Sequence, residues 1–288
     1  MTTQTLARQS LTRTGRRRRW RNFGNLLLNL PLMLVILVPL LYTLSISVMP
    51  SHEIYKNHLI PSSVNFANYV NAFTNPNYNF MRFILNSFIV STCVMLGQMV
   101  TCSMAAFAFS FLEFKGKKVL FLCILATMMI PGEATIIANY LTVSRWGWLD
   151  SYQALIVPYL TSAMGIFLLR QNYLTFAQEL HEAARLDGCG NWRFLGSIAI
   201  PLSRPALGAL GAYVFLNTWN QYMWPLLVTN SSSYRTVQIG ISMLYDIDAE
   251  ALGLMMAGVI IVIVPSLSIF IFMQKQLING LMAGAVKG

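Results

Sequence analysis

Six long apolar runs are the feature of this 288-residue sequence that most restricts its fold. A helix needs about 20 apolar residues to cross the roughly 30 Å hydrocarbon core of a bilayer, and every run reaches that length or nearly does. The runs are residues 25–49, 83–111, 119–143, 152–169, 205–228 and 251–273. Charged residues make up only 10% of the chain, against about 25% in soluble domains. The sequence therefore predicts an all-α polytopic membrane protein with six transmembrane helices.

Basic residues indicate how these helices are oriented. With six spans both chain ends lie on one side, and sixteen of the twenty Lys and Arg residues fall on that side. Because cytoplasmic loops carry the excess of Lys and Arg, we expect both termini in the cytoplasm and the chain in the inner (cytoplasmic) membrane of the cell. The predicted units are a cytoplasmic Arg-rich tail (1–24), a six-helix transmembrane domain (25–274) with a cytoplasmic loop (179–205), and a cytoplasmic C-terminal tail (275–288).

Motifs for catalysis and nucleotide binding do not stand out. The pair Gly116-Lys117 is followed by Lys118 instead of Ser or Thr, so it does not match a phosphate-binding loop. The four cysteines show no CxxC spacing and the three histidines belong to no ligand pattern, so we expect no metal site. We also expect no cofactor, no nucleic-acid partner and no catalytic activity in this chain.

Two polar clusters interrupt the apolar runs and indicate a candidate translocation path. Glu133 follows a Pro-Gly pair in the third run, about 21 Å from the start of a straight helix that rises 1.5 Å per residue. Residues 217–222 in the fifth run fall at about 18–25 Å by the same rise. Polar groups in transmembrane helices usually face the bundle interior or a wet cavity. The candidate path residues are Glu133, Asn139, Asn217, Trp219, Asn220 and Gln221.

Simpler interpretations of these residues stay open. Glu133 is consistent with a structural group that bonds a neighbouring helix or reaches the interface. Trp219, Tyr222 and Trp224 fit an aromatic belt at the outer interface. The alternative function is an ion-coupled secondary transporter with Glu133 as its coupling carboxylate, although such folds predict inverted repeats, which the sequence does not show.

The polar loop 179–205 carries the most specific pattern in the chain. Its residues at diagnostic offsets are Glu182, Ala183, Ala184, Gly188, Ile198, Ile200 and Pro201. They resemble the EAA loop of permease subunits of binding-protein-dependent ABC importers, a pattern that ends in Leu-Pro where this chain has Ile-Pro. The stretches LDSY at 149–152, WNQY at 219–222 and GLMAGAVKG at 280–288 are similar to the carbohydrate-uptake class. Within that class the chain resembles the second permease subunit of the maltose-type and glycerol-3-phosphate-type systems.

The resemblance implies the type I ABC permease fold and a heteromeric importer. The partners it implies are a second permease subunit, two ATP-binding subunits that hold ATP and Mg, an extracytoplasmic solute-binding protein and the lipid bilayer. The implied solute is a sugar or oligosaccharide, or glycerol-3-phosphate or a glycerophosphodiester. The residues that the resemblance assigns to coupling with the ATPase subunits are Glu182, Ala183, Ala184, Asp187, Gly188 and Pro201.

The residues of the loop also suit a docking element. Residues 179–186 are predicted to form a short helix, and Gly188 fits its C-terminal stop because glycine adopts the left-handed conformation at least cost. Trp192 and Phe194 are predicted apolar anchors. Spans four and five, which the loop joins, are expected to carry its motion into the membrane.

Overall fold

A computed structural model describes residues 29–31, 33–54, 56, 58–74, 79–176, 178–245 and 252–282, so the predicted tail 1–24 and residues 283–288 lie outside the described part. In chain order the helices are α1 (Asn29–Ser47), α2 (Ser51–Ile54), α3 (Ala67–Thr74), α4 (Phe80–Phe111), α5 (Lys117–Thr127), α6 (Gly132–Arg145), α7 (Tyr152–Ile156), α8 (Ala163–Tyr173), α9 (Gln178–Leu186), α10 (Asn191–Phe194), α11 (Ile200–Leu202), α12 (Arg204–Trp219), α13 (Met223–Val228), α14 (Val237–Tyr245) and α15 (Leu252–Met282). A 3-10 turn (Val157–Tyr159) follows α7, and a π-helical turn (Leu195–Ala199) separates α10 from α11. These ranges contain no β-strand, and the all-α prediction is confirmed.

Candidate membrane spans are of two kinds. The helices α1, α4 and α15 are each long and apolar enough to cross a bilayer alone. Three segments pass the same test only as bent pairs: α5 with α6 (99°), α7 and its 3-10 turn with α8 (41°), and Asn191–Leu202 with α12 (80°). The described part of the chain thus holds up to six candidate spans, which agrees with a polytopic membrane protein. The last helix, α15, continues to Met282 without a break, so the predicted boundary at residue 275 falls inside a helix.

The third predicted span is not one straight helix. It bends by 99° between α5 and α6, and Pro131 is the N-cap residue directly before α6. Proline has no N–H to continue the helical ladder, and it disfavours helical geometry at the residue before it. The depth of about 21 Å that the sequence assigns to Glu133 is therefore wrong, because it assumes a continuous rise from residue 119.

The fourth predicted span is broken between Tyr159 and Ala163, and side chains of α4 satisfy the freed backbone. Gln98 donates through Nε2 to the Tyr159 carbonyl at 2.8 Å, and Thr101 donates to the Leu160 carbonyl at 2.5 Å. Ser162 donates to Gln98 Oε1 at 2.8 Å and accepts the first hydrogen bond of α8. Non-helical backbone at membrane depth needs such partners because lipid offers none. We call Gln98, Thr101 and Ser162 the polar pin of span four.

Packing places α12 at the centre of the bundle, against α4, α8 and α15. One apolar cluster draws on α4, α8, α10 and α12, and includes Leu169, Tyr173 and Phe194. A second cluster draws on α4, α12, α14 and α15, and includes Phe80 and Trp219. The first cluster connects the polar loop to the bundle, so contacts within this chain fix the position of the candidate site.

The turn between α6 and α7 is tied to the loop that follows α13. Ser151 caps α7, because its side-chain oxygen accepts the N–H of Ala154, a role that serine often has at this position. Asp150 has a different role: it adopts a φ of +56° and its Oδ1 accepts the N–H groups of Asn230 at 3.0 Å and Ser231 at 2.9 Å. Burial raises the pKa of the Asp150 carboxyl, but the hydrogen bonds from Ser231 and Asn230 outweigh it, so the pKa lies below its ordinary value.

Candidate coupling loop and translocation residues

The helix α9 turns one narrow face toward the bundle. His181 is 6% exposed and Ala184 is 9% exposed, and their spacing of three residues places them on the same side of the helix. Glu182 and Ala183 are exposed on the other side. The predicted short helix is confirmed. Within the Glu-Ala-Ala motif, Ala184 faces the bundle, whereas Glu182 and Ala183 are exposed.

A Schellman motif at Gly188 ends α9. Gly188 has a φ of +76°, in the left-handed region. Its N–H donates to the Arg185 carbonyl at 3.0 Å, and the N–H of Cys189 donates to the Ala184 carbonyl at 2.8 Å. Two carbonyls that the end of a helix leaves unpaired are thereby satisfied. The predicted glycine stop is confirmed, and Asp187 is left exposed beside it.

Four rings hold α9 against α4 and α10, and we call them the aromatic clamp: His181, Phe107, Phe111 and Phe194. The His181 ring centroid lies 4.8 Å from that of Phe194, 5.1 Å from that of Phe111 and 6.2 Å from that of Phe107. Phe107 and Phe111 are four residues apart on α4, so they form one surface. Within the described residues, His181 Nε2 is buried without a hydrogen-bond partner. The clamp therefore depends on ring packing.

The opposite side of the loop is an exposed surface, which we call the outer face: Glu182, Ala183, Leu186 and Trp192. Leu186 is 89% exposed and Trp192 is 73% exposed. Large apolar side chains exposed beside a carboxylate are typical of an interaction site. The two predicted anchors thus differ, because Phe194 is buried within this chain while Trp192 is free to contact another.

The return from the loop into the membrane is a sharp corner. Pro201 is half-buried in α11, after the π-helical turn, and α12 begins 80° away at Arg204 with Pro205 in its first turn. Proline is favoured there because the first turn of a helix needs no N–H donor. The corner joins the loop directly to the central helix of the bundle.

Two of the candidate path residues lie on α6. Glu133 is exposed in the first turn of that helix, where a negative charge is stabilised by the helix dipole. Asn139 is exposed two turns later. Among the described residues neither side chain makes a hydrogen bond or an ion pair. The dipole gives Glu133 a structural role that does not depend on transport.

The other candidate path residues lie where α12 ends. Asn217 and Asn220 are exposed, and Gln221 is half-buried. Trp219 is 1% exposed and belongs to the second apolar cluster, so its ring packs in the core. Gln238 links two of them, since its Nε2 donates to Asn220 Oδ1 at 3.3 Å and to the Trp219 carbonyl at 3.5 Å. Gln238 thus ties the end of α12 to α14. Within the described residues no hydrogen bond connects these candidate path residues to α6.

Sequence reasoning missed the aromatic clamp and the polar pin. A usable signal for the clamp was present: His181 directly precedes Glu182 in the predicted helix 179–186, and Phe107 and Phe111 repeat at helical spacing on α4. For the polar pin, Gln98 and Thr101 are polar residues in an otherwise apolar span. Such residues usually face a partner inside the bundle.

The candidate spans and the exposed outer face agree with a class, a polytopic membrane protein that presents an interaction surface outside the bilayer. The chain belongs to the family described as binding-protein-dependent transport system inner membrane component, which matches residues 97–276. It is therefore a permease component of an importer that works with a binding protein.

Individual relatives agree with this family. The chain is 34% identical over 258 residues to the sn-glycerol-3-phosphate transport system permease protein UgpE of Agrobacterium fabrum, covering 86% of this chain and 92% of the relative. It is 32% identical over 254 residues to the arabinooligosaccharides transport system permease protein AraQ of Halalkalibacterium halodurans, covering 87% and 91%. Its fold is similar to a chain in the crystal structure of a bacterial ABC transporter that imports the acidic polysaccharide alginate. The TM-score is 0.81 at 21% identity, with 90% of this chain and 97% of that chain covered.

Proposed function

We propose that this permease imports a carbohydrate-class solute and that its outer face receives the motion of ATP-hydrolysing partner subunits. The observation that carries the proposal is the division of α9 into a buried face, held by the aromatic clamp, and an exposed Glu182-Ala183 face. A helix held on one side and free on the other is suited to dock on a partner and to move the chain that holds it.

The solute class is inferred from the relatives. One relative is named for sn-glycerol-3-phosphate and another for arabinooligosaccharides, and they match this chain over similar lengths. We infer a sugar, an oligosaccharide, or glycerol-3-phosphate or its diesters. Among residues placed outside by the proposed topology, Lys56, Arg82, Arg145 and Arg235 do not outnumber the acidic groups, so the charge pattern does not favour an anion.

The partners follow from the family and the loop. We propose a second permease subunit, two ATP-binding subunits that hold ATP and Mg, and an external solute-binding protein. Both termini and the loop 179–205 are placed in the cytoplasm, because sixteen of twenty basic residues then lie inside. This chain itself is non-catalytic in the proposal.

Motion of α9 would reach the transmembrane bundle by three routes, through α8, α12 and α4. The chain leads from α9 back to α8 and onward through the 80° corner to α12, as expected for spans four and five. The aromatic clamp adds α4 as a third route, since Phe107 and Phe111 belong to that helix. Rigid-body movement of these helices would alternate access to the solute path. We place that path along Glu133, Asn139, Asn217, Asn220 and Gln221, with Trp219 packed behind it in the second apolar cluster.

The proposal is tested with the assembled complex in proteoliposomes. Glu182→Lys reverses the charge of the outer face and is expected to reduce solute-stimulated ATPase and uptake about tenfold or more, because charge-assisted hydrogen bonds contribute about 1.5–3 kcal/mol. Glu182→Asp is the matched control, because it keeps a carboxylate at the same position of the outer face and is expected to retain most of the uptake.

Two results would contradict the proposal. Full uptake by the Glu182→Lys complex would show that the outer face is not the coupling contact. Uptake that follows a proton gradient and not ATP would support the ion-coupled alternative based on Glu133. The solute class is tested separately by measuring binding of sugars, oligosaccharides and glycerophosphates to the partner binding protein.

A further inference from the structure

A cavity of about 870 Å³ lies between the end of α4, the start of α5 and the last turns of α8. The polar side chains that line it are Lys117, Lys118, Arg170 and Glu113, and its apolar walls include Phe121 and Leu122. Three cations against one carboxylate leave the lining with a net charge of +2. The residues that line this cavity include none from the loop 179–205 and none from the candidate translocation path.

Two of the cations are fixed in position by the end of α4. Lys117 Nζ donates to the Leu112 carbonyl at 2.8 Å and to the Ser110 carbonyl at 3.3 Å. Arg170 Nε donates to the Phe109 carbonyl at 3.2 Å. These carbonyls belong to the helix end, which leaves such groups unpaired, so the contacts have a structural purpose. They also hold both charges in place before any ligand arrives.

These contacts do not neutralise the cations. The ion pair found among the described residues joins His52 to Glu53, away from this cavity. The Arg170 guanidinium carbon lies 4.1 Å above the centre of the Phe121 ring, a cation–π arrangement that leaves the charge in place. In addition, Gly116 directly before α5 supplies no side-chain cap, and the start of a helix favours an anion.

The walls of the cavity extend the site away from the charges. Leu122 and Leu125 follow on α5 after the Phe121 ring that Arg170 covers, and Leu122 is 66% exposed. The cavity thus offers cations at one end and an exposed apolar surface at the other. This arrangement matches the two parts of a phospholipid, a charged headgroup and an acyl chain. The proposed topology puts the cationic end at the cytoplasmic leaflet, which carries anionic lipids.

We propose that this cavity binds an anionic phospholipid of the cytoplasmic leaflet, with the headgroup phosphate between Lys117, Lys118 and Arg170 and an acyl chain along Leu122 and Leu125. Basic pockets between transmembrane helices on this side of a membrane are suited to such headgroups. The inference uses the proposed topology, and it does not depend on the solute or on ATP coupling.

The test measures binding of short-chain phosphatidylglycerol to the purified complex by native mass spectrometry, with short-chain phosphatidylcholine as the neutral comparison. Lys118→Gln is the informative variant, because Lys118 is exposed and makes no hydrogen bond among the described residues, so the fold does not depend on it. The loss of one cation near a membrane surface corresponds to about a fivefold weaker affinity. Lys115→Gln removes a charge from the same loop, outside the cavity lining, and is expected to leave the affinity unchanged.

Three results would overturn the proposal. The first is equal binding of the phosphatidylglycerol by the Lys118→Gln and Lys115→Gln complexes. The second is equal affinity for glycerol phosphate without acyl chains, which would show that the apolar wall contributes nothing. The third is cross-linking of a cysteine at Leu122 to another subunit, which would show that protein covers the cavity. None of these readouts depends on transport, so failure here is separable from failure of the proposed function.

Discussion

Replacing His181 by alanine removes the ring that α9 contributes to the aromatic clamp. Three ring contacts, at 4.8, 5.1 and 6.2 Å, are lost. At about 0.5–1.5 kcal/mol for each aromatic pair they total about 3 kcal/mol. About 2 kcal/mol is regained because the unpartnered Nε2 no longer has to be buried. The net loss of about 1 kcal/mol raises the undocked population of α9 about fivefold.

Amide hydrogen exchange over residues 181–188 of the purified complex measures this population. Exchange is expected to rise about fivefold in His181→Ala and to fall in His181→Phe, which keeps a ring and removes the unpartnered nitrogen. Glu182→Ala is the control, since its side chain is exposed and does not enter the clamp. If His181→Phe exchanged as fast as His181→Ala, ring packing would not hold α9 and the reasoning would be refuted.

Further predictions concern the turn, the polar pin and the stop of α9. The pKa of Asp150 is lowered, so its stabilising contribution is complete above pH 3.8, the ordinary pKa of the group. The contribution is lost as the pH falls through the lower pKa of the folded state. The thermal unfolding temperatures of the complex at pH 5 and pH 3 should therefore differ more in wild type than in Asp150→Ala. Gln98→Met removes the donor to the Tyr159 carbonyl and should destabilise the chain by about 0.6–1.7 kcal/mol in bilayer unfolding measurements; no change would show that the pin does not hold the break. Gly188→Ala should lower the stability by about 1–2 kcal/mol because the φ of Gly188 is positive. Gly190→Ala is the control and should be nearly neutral, because the φ of Gly190 is −70°. Equal losses of stability in the two variants would contradict the role of the Schellman motif.

The apolar runs were enough to predict the number and approximate position of the spans, because length and hydropathy are set by bilayer thickness. They could not predict that three spans are bent. Pro131 was visible in the sequence, but prolines are tolerated within transmembrane helices when neighbours supply partners. Whether a proline kinks or breaks a helix depends on tertiary contacts, and these are not encoded in one local window.

The loop was predicted better than the path. Gly188 could be assigned because a helix stop is a local event that one residue type satisfies at least cost. Trp219 could not be placed, since an aromatic residue near the outer end of a span is equally consistent with a belt, a path or a core. His181 was overlooked because its burial depends on Phe107 and Phe111, which lie some 70 residues earlier in the sequence and meet it only in the folded bundle.

Photo-cross-linking from Ala183 tests the central claim most directly, namely that the outer face contacts the ATP-binding subunits. A photoreactive amino acid at this exposed position, in the assembled complex, is expected to form an adduct with an ATP-binding subunit. The same group at Trp146, exposed at the far end of span three, should form none with that subunit. The account is contradicted if Ala183 cross-links to the solute-binding protein, or if Trp146 and not Ala183 captures the ATP-binding subunit.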